Sequence, residues 1–226
     1  MKAAAAGRRP LPGGAAARDN GGMPDAPPTT PSTPERLAPQ EEAPPPLRPR
    51  YGRIGTVARW KPVHLGHAAM LEALLGRADR VLVGIGSVNR YDLRSPFTAA
   101  ETRDMLRLAL AGRRGYEVIE VEDLDDGPRW RDMVKERFGP LDLFVSDNDY
   151  VRDLLRPVYA VELPVRLVPP ERRVPVDGTM VRRAMARGDD WQGLVPPKVA
   201  AYLEASGLAA RFRREFGLAT LARDAG

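Results

Sequence analysis

The sequence predicts an α/β protein: a doubly wound, mostly parallel sheet of five strands, with helices on both faces and further helices toward the C-terminal end. Three observations carry this. From residue 51 onward, short apolar segments alternate with segments whose apolar residues recur every three or four positions. One short segment, Val81-Leu-Val-Gly-Ile-Gly86, is apolar almost throughout, as suits a strand covered on both faces. The helical segments carry start and stop signals at their ends. Strands alternating with helices imply right-handed crossovers, and hence a Rossmann-like arrangement.

Taken in order, Ile54 to Ala58 reads as the first strand. Leu65 to Leu75 follows as a helix, with Ala68, Leu71, Leu74 and Leu75 on one face and Gly76 as its stop. Val81 to Gly86 is the second strand. The next helix opens at Thr98, because Thr98-Ala-Ala-Glu101 has capping-box spacing: the hydroxyl accepts from one free backbone N–H while the carboxylate reaches back to another. It runs to about Ala111, before Gly112. Tyr116 to Val121 is the third strand, and Pro128 to Phe138 is a helix with proline at its start and Gly139 at its end. Leu141 to Val145 is the fourth strand, and a short helix spans Tyr150 to Leu155. The fifth strand is placed at Val165 to Val168. Thr179 to Ala186, Lys198 to Ala205 and Ala209 to Phe216 read as helices.

Residues 1–50 differ in character. They hold 12 of the 23 prolines, among Ala, Gly, Arg, Ser and Thr, and are expected to be a disordered leader ahead of one domain over 51–226. The leader has no apolar run of signal-peptide length, and no later segment approaches the roughly 20 apolar residues that span a bilayer. A soluble, cytoplasmic protein without a membrane partner is therefore expected. With no cysteine there is neither a disulfide framework nor a thiolate metal site. The net charge is +5, of which the leader carries +2, so the domain itself is only mildly basic. Its arginines are interleaved with Asp and Glu and form no dense stripe, which argues against a nucleic-acid partner. A homo-oligomer stays open.

Both histidines of the chain lie in Ala58-Arg-Trp-Lys-Pro-Val-His64-Leu-Gly-His67, where the first strand hands over to the first helix. In an open parallel sheet, ligands bind beyond the carboxyl ends of the strands. Pro62 stiffens the exit, and Gly66 lets the backbone approach a ligand closely. His64 and His67, about one helical turn apart, can present their rings toward one point. A helix N-terminus adds free N–H groups and partial positive charge, which favour phosphate.

Arg59-Trp-Lys-Pro-Val-His64-Leu-Gly-His67 resembles the first signature of the HxGH nucleotidyltransferase superfamily, and within it most closely the archaeal-type nicotinamide mononucleotide (NMN) adenylyltransferases. Gly86-Ser-Val-Asn-Arg-Tyr-Asp-Leu-Arg94-Ser-Pro-Phe-Thr98-Ala-Ala-Glu101 and Gly178-Thr-Met-Val-Arg182-Arg-Ala-Met185 resemble two further stretches of that family, in the same order, and Asp190-Trp-Gln-Gly-Leu-Val-Pro196 resembles the stretch that follows. The resemblance implies adenylyl transfer: the phosphate of a mononucleotide attacks the α-phosphate of ATP, giving NAD and pyrophosphate. It implies catalytic roles for His64, His67 and Arg182, and ATP contacts from Arg59, Trp60, Lys61, Gly66, Ser146, Asn148, Gly178 and Thr179. Arg94, Trp130 and Asp123 would meet the mononucleotide, with Trp130 stacked on its nicotinamide ring. Mg²⁺ would bridge phosphate oxygens, with no dedicated metal ligands on the protein. Two departures stand out. Trp60-Lys61 replaces the usual phenylalanine and glutamine, and Asp177 replaces a serine, which puts a carboxylate beside the expected triphosphate.

Each residue also has a plainer reading. The histidines could fill core, although a structural zinc site lacks its third and fourth ligands. Trp130 could pack its helix onto the sheet, and Asp123 and Asp126 could be cap residues in a turn. Arg94 could be a loop arginine, and either Arg182 or Arg183 could be the solvated one. The same chemistry could serve another acceptor, such as nicotinate mononucleotide, pantetheine phosphate or a phosphorylated alcohol. A nucleotide-binding regulator without turnover is the alternative that Asp177 keeps open.

Overall fold

The computed structural model describes residues 46–223, so the leader expected over 1–50 lies outside the described residues up to position 45. Leu47 packs against the core.

The elements, in chain order, are β1 (Tyr51–Ala58), α1 (Leu65–Leu75), β2 (Ala78–Gly86), α2 (Ala99–Ala109), β3 (Tyr116–Val121), α3 (Gly127–Phe138), β4 (Leu143–Val145), α4 (Asp149–Leu155), β5 (Val161–Glu162), α5 (Pro164–Leu167), α6 (Gly178–Arg187), α7 (Pro197–Ala205) and α8 (Leu208–Ala222). Short 3-10 turns at Pro170–Arg172 and Gln192–Leu194 flank α6. All five strands are parallel, in the order β3-β2-β1-β4-β5. The chain steps outward from β1 to β3 and then returns to the other side of β1, where Ile54, Gly55 and Thr56 pair with Leu143, Phe144 and Val145. With right-handed crossovers, this reversal sends α3 and α4 to the opposite face, while α6 and α8 pack on the same side as α1 and α2.

Strand periodicity shows that both faces are covered. Val81, Val83 and Ile85 of β2 and Leu143 and Val145 of β4 enter one core cluster, with Leu71 and Leu74 of α1, Met105 of α2, Val181 of α6 and Phe212 of α8. The alternate residues Leu82 and Phe144 enter a second cluster with Val134 and Phe138 of α3 and Leu155 of α4. Thr98 and Glu101 form the reciprocal capping box at the start of α2.

One strand was misplaced by sequence reasoning. Val165 to Val168 is mostly helical, and β5 lies earlier, where Val161 and Glu162 pair with Phe144 and Val145. Pro164 occupies the first turn of α5, where its missing N–H costs nothing, and Val165 and Val168 have a spacing that suits one helix face. A two-residue strand leaves too short a pattern to register.

Phe138 of α3 packs closely on two strands because both offer glycine. A Cβ at Gly55 would stand 3.1 Å from Phe138, and one at Gly84 would stand 2.9 Å from Phe138 and 2.6 Å from Val57. Gly84→Ala is therefore expected to push α3 off the sheet and to cost about 1–3 kcal/mol. Denaturant unfolding of the variant against the parent protein measures this; an unchanged midpoint would show that Phe138 yields freely.

Candidate active site

Where the strand order reverses, between the carboxyl ends of β1 and β4, a cleft of about 1180 Å³ opens. That is the position at which parallel sheets bind ligands, and the volume exceeds what one drug-sized molecule needs. Its walls come from the loops after β1, β2, β3 and β4 and from the segment leading into α6.

Two helix N-termini converge there. His64 is the N-cap of α1, its Nδ1 accepting from the His67 N–H at 3.3 Å. Asp177 is the N-cap of α6, one carboxylate oxygen accepting from the N–H groups of Thr179 and Met180 at 2.7 and 2.8 Å. The two ends come close because position 66 has no side chain: a Cβ there would lie 2.4 Å from the Val176 carbonyl oxygen. Glycine at 178 likewise leaves room for the Arg182 guanidinium, which folds back to donate to the Lys61 carbonyl at 3.0 Å.

The imidazoles of His64 and His67 stack at 3.5 Å between centroids, and the Trp60 ring lies 4.6 Å from His67 on its other side. Burial pushes the His64 pKa down to about 4, with nearby Asp177 opposing and Arg182 assisting. Burial, and then the neighbouring His64, hold His67 well below the usual histidine range, against a smaller opposing influence from the Pro62 carbonyl. Both rings are neutral at pH 7. Because His64 Nδ1 is an acceptor, the neutral ring carries its hydrogen on Nε2. His67 Nδ1 is buried and makes no hydrogen bond of normal geometry among the described residues.

Cations surround the pair. Arg59 is exposed at the cleft and makes no hydrogen bond or ion pair among the described residues. Lys61 is nearly inaccessible, its Nζ donating to the Ser87 carbonyl at 3.1 Å. Burial, and then Arg59, lower its pKa to about 8, while Asp92 opposes. Burial also lowers the Arg182 pKa, partly offset by Asp177.

Of the residues singled out from sequence, Arg59, Lys61, His64, Gly66, His67, Arg94, Asp123, Trp130, Asn148, Gly178, Thr179 and Arg182 all border this cleft. Two residues expected to contact ATP turn their side chains inward, although Trp60 still borders the cleft. Ser146 is buried and absent from the cleft wall, its hydroxyl accepting from the Asn148 N–H at 3.2 Å. The Trp60 side chain is fully buried, with its indole N–H donating to the Gly84 carbonyl at 2.7 Å, so it backs His67 from within the core. Trp130 packs on the second core cluster and also borders the cleft.

Sequence reasoning passed over Asn89, Arg90 and Asp125. The Asn89 amide exchanges two hydrogen bonds with the Asp123 backbone, at 2.9 and 2.8 Å, and Arg90 pairs with Asp125 and, at 3.9 Å, with Asp123. This locks the loop after β2 to the loop after β3. Their position just past strand ends was the available signal. Backbone strain marks the same rim. Trp60, Ser87 and Asp125 have φ of 58°, 54° and 52°, the only non-glycine residues in the left-handed region among those described, and all three border the cleft. Each such residue costs on the order of 1–3 kcal/mol and persists where surrounding contacts impose it, typically at a working site.

The fold and this site define an α/β nucleotide-binding transferase of the paired-histidine type. The sequence model of the cytidylyltransferase-like family matches residues 56–184. The nicotinamide-nucleotide adenylyltransferase of Aeropyrum pernix is 35% identical over 168 residues, covering 72% of this chain and 96% of that protein. The enzyme of the same name from Methanocorpusculum labreanum is 34% identical over 147 residues, covering 64% and 86%. Among solved structures, a bifunctional NMN adenylyltransferase/ADP ribose pyrophosphatase from Francisella tularensis, complexed with AMP and a manganese ion, superposes with a TM-score of 0.59. At 16% identity it shares the fold, over 73% of this chain and only about half (51%) of that one. The chain belongs to the cytidylyltransferase-like nucleotidyltransferases, in the branch of the archaeal-type nicotinamide-nucleotide adenylyltransferases.

The histidine pKa values set a stability profile. His64 is depressed in the fold, so between about pH 6.5 and 4 the unfolded chain binds the extra proton. Stability is complete above that window and falls through it, by on the order of 3 kcal/mol for this one group. Unfolding at pH 4.5 and pH 7 should show a smaller pH difference for His64→Gln than for the parent protein. Equal differences would assign the acid sensitivity elsewhere.

Proposed function

We propose that this protein transfers the adenylyl group of ATP to nicotinamide mononucleotide, giving NAD and pyrophosphate, with the cleft between β1 and β4 as its site. The observation that carries the reading is the stacked, neutral His64–His67 pair at the start of α1, ringed by Arg59, Lys61 and Arg182. The family relationship supports the same reaction.

A phosphate oxygen of the mononucleotide bonds to the α-phosphorus of ATP as the bond from that phosphorus to the bridging oxygen breaks, and pyrophosphate leaves with the electron pair. Such a displacement asks the protein to align two reactants and to stabilise spreading negative charge. His64, with its hydrogen on Nε2, donates toward the oxygens of the reacting phosphorus, and His67 beneath it shares that task. Because both rings are uncharged beforehand, no buried ion pair has to be broken when ATP arrives. Arg182, fixed by the Lys61 carbonyl, and Arg59 meet the polyphosphate, for which a planar guanidinium is well shaped. Mg²⁺ would enter with the triphosphate as part of the substrate and help to neutralise its charge. Trp130 offers an aromatic face to the cationic nicotinamide ring, while Arg94 and Asp123 border the same cleft from the loops after β2 and β3.

Asp177 works against ATP. Its carboxylate holds the two α6 N–H groups that an incoming phosphate would use, and it places negative charge next to the reacting centre. This is the specific observation that favours a second reading, a nucleotide-binding regulator with little turnover.

Two measurements decide. Pyrophosphate release, assayed with each nucleoside triphosphate, Mg²⁺ and a panel of acceptor phosphates, is expected only with ATP and nicotinamide mononucleotide. Release with a different acceptor would reassign the substrate, and ATP binding without release would favour the regulator. In the same assay, His67→Ala should lower kcat by about two orders of magnitude or more with little change in ATP binding, and an unchanged rate would remove His67 from the mechanism. Asp177→Ser, which keeps a helix cap but removes the charge, should lower the KM for ATP several-fold; a higher KM would show the carboxylate helping.

A further inference from the structure

The last helix lies outside the family-matched segment, yet it reaches the loop that carries Arg94. Arg211 of α8 grips Glu101 of α2 with both prongs, Nη1 to Oε1 at 2.6 Å and Nη2 to Oε2 at 2.7 Å, and Nη2 also donates to the Pro96 carbonyl at 3.3 Å. The same guanidinium stands 5.7 Å from the centre of the Tyr91 ring. Tyr91 in turn donates its hydroxyl to Glu215 and meets Phe216 edge-on at 5.4 Å, both residues of α8. Phe97 stacks against Phe212 of α8 at 6.2 Å. Both ends of the segment Tyr91–Phe97 are thus fixed on α8.

Between those ends the chain closes a tight turn. Asp92 accepts from the Arg94 and Ser95 N–H groups at 2.7 and 2.8 Å, and the Asp92 and Ser95 backbones exchange two further bonds at 3.3 and 2.9 Å. The Arg94 side chain itself is exposed, borders the cleft and makes no hydrogen bond or ion pair among the described residues. Its location is therefore set entirely by the turn it stands on. On the far side, Asn89 and Arg90 tie the loop to Asp123 and Asp125, but these anchors precede Tyr91 and leave the turn itself to α8. Glu101 is engaged twice over, since the carboxylate that Arg211 holds also accepts from the Thr98 N–H at 2.8 Å. Burial alone would raise its pKa, but Arg211 and the Thr98 N–H bring it below the usual carboxylate range.

We propose that Arg211 is a positioning residue for the acceptor end of the cleft: by clamping the Tyr91–Phe97 turn to the last helix, it sets where Arg94 stands and so how tightly the mononucleotide phosphate is held. A two-pronged guanidinium–carboxylate contact fixes orientation as well as distance, which a single bond does not. The proposal rests on the assignment of Arg94 to that phosphate, and the experiment separates the two.

Steady-state pyrophosphate release is measured for Arg94→Ala, Arg211→Met and the double variant. Arg94→Ala should raise the KM for nicotinamide mononucleotide about tenfold. Arg211→Met should raise the same KM about fivefold, leaving kcat and the KM for ATP within about twofold. In the double variant the two effects should not multiply, because Arg211 acts through a side chain that is gone. Arg211→Lys, which keeps one bond to Glu101, should recover part of the loss, and it is read in the same way should the methionine variant fail to fold. Multiplying effects, or a loss spread over kcat and both KM values, would overturn the clamp while leaving the Arg94 assignment intact. An unchanged KM in Arg94→Ala would overturn the assignment itself and the clamp with it.

Discussion

The site depends on one close approach: the Val176 carbonyl oxygen sits where any side chain at position 66 would begin. Only glycine permits it, and because it is permitted, the N-termini of α1 and α6 face the same space. Each helix brings uncompensated N–H groups and the positive end of its dipole. Each also brings its own cap, His64 on α1 and Asp177 on α6. His64 is thus a capping residue first. The bond from the His67 N–H that completes the helix also fixes the tautomer of the neutral His64 ring.

The electrostatics follow from that geometry. Two rings stacked at 3.5 Å, with burial lowering the pKa of each, cannot both carry charge cheaply, so they stay neutral near pH 7 and the nearby Arg and Lys side chains supply the positive field. Lys61 and Arg182 are held by carbonyl oxygens, which orient them without neutralising them. Asp177 is the exception. It caps α6 from within, and its negative charge tempers the field at His64 and Arg182.

Much of this could be read from residue order. The handover from β1 to α1, the capping box at Thr98 and the alternation in β2 are local patterns, and local patterns survive without coordinates. Arg59, Arg94, Trp130 and Arg182 reach one cleft because parallel topology gathers strand ends, a rule that needs only the order of elements. What escaped was whatever depends on contacts across the fold. Trp60 turns into the core because the Gly84 carbonyl awaits its N–H, twenty-four residues away. Ser146 lies inward for the sake of the backbone next to it. The strand at Val161–Glu162 exists because β4 needs a neighbour, and nothing in two residues announces that.

The three left-handed residues Trp60, Ser87 and Asp125 follow β1, β2 and β3 in turn, so every strand on that half of the sheet ends in a conformation the chain would leave if released. The rim of the cleft is thus spring-loaded. Evolution toward heat tolerance could relieve that strain with glycine at Ser87 and Asp125, slackening the mouth of the enzyme, but not at Trp60, whose buried ring the core would lose.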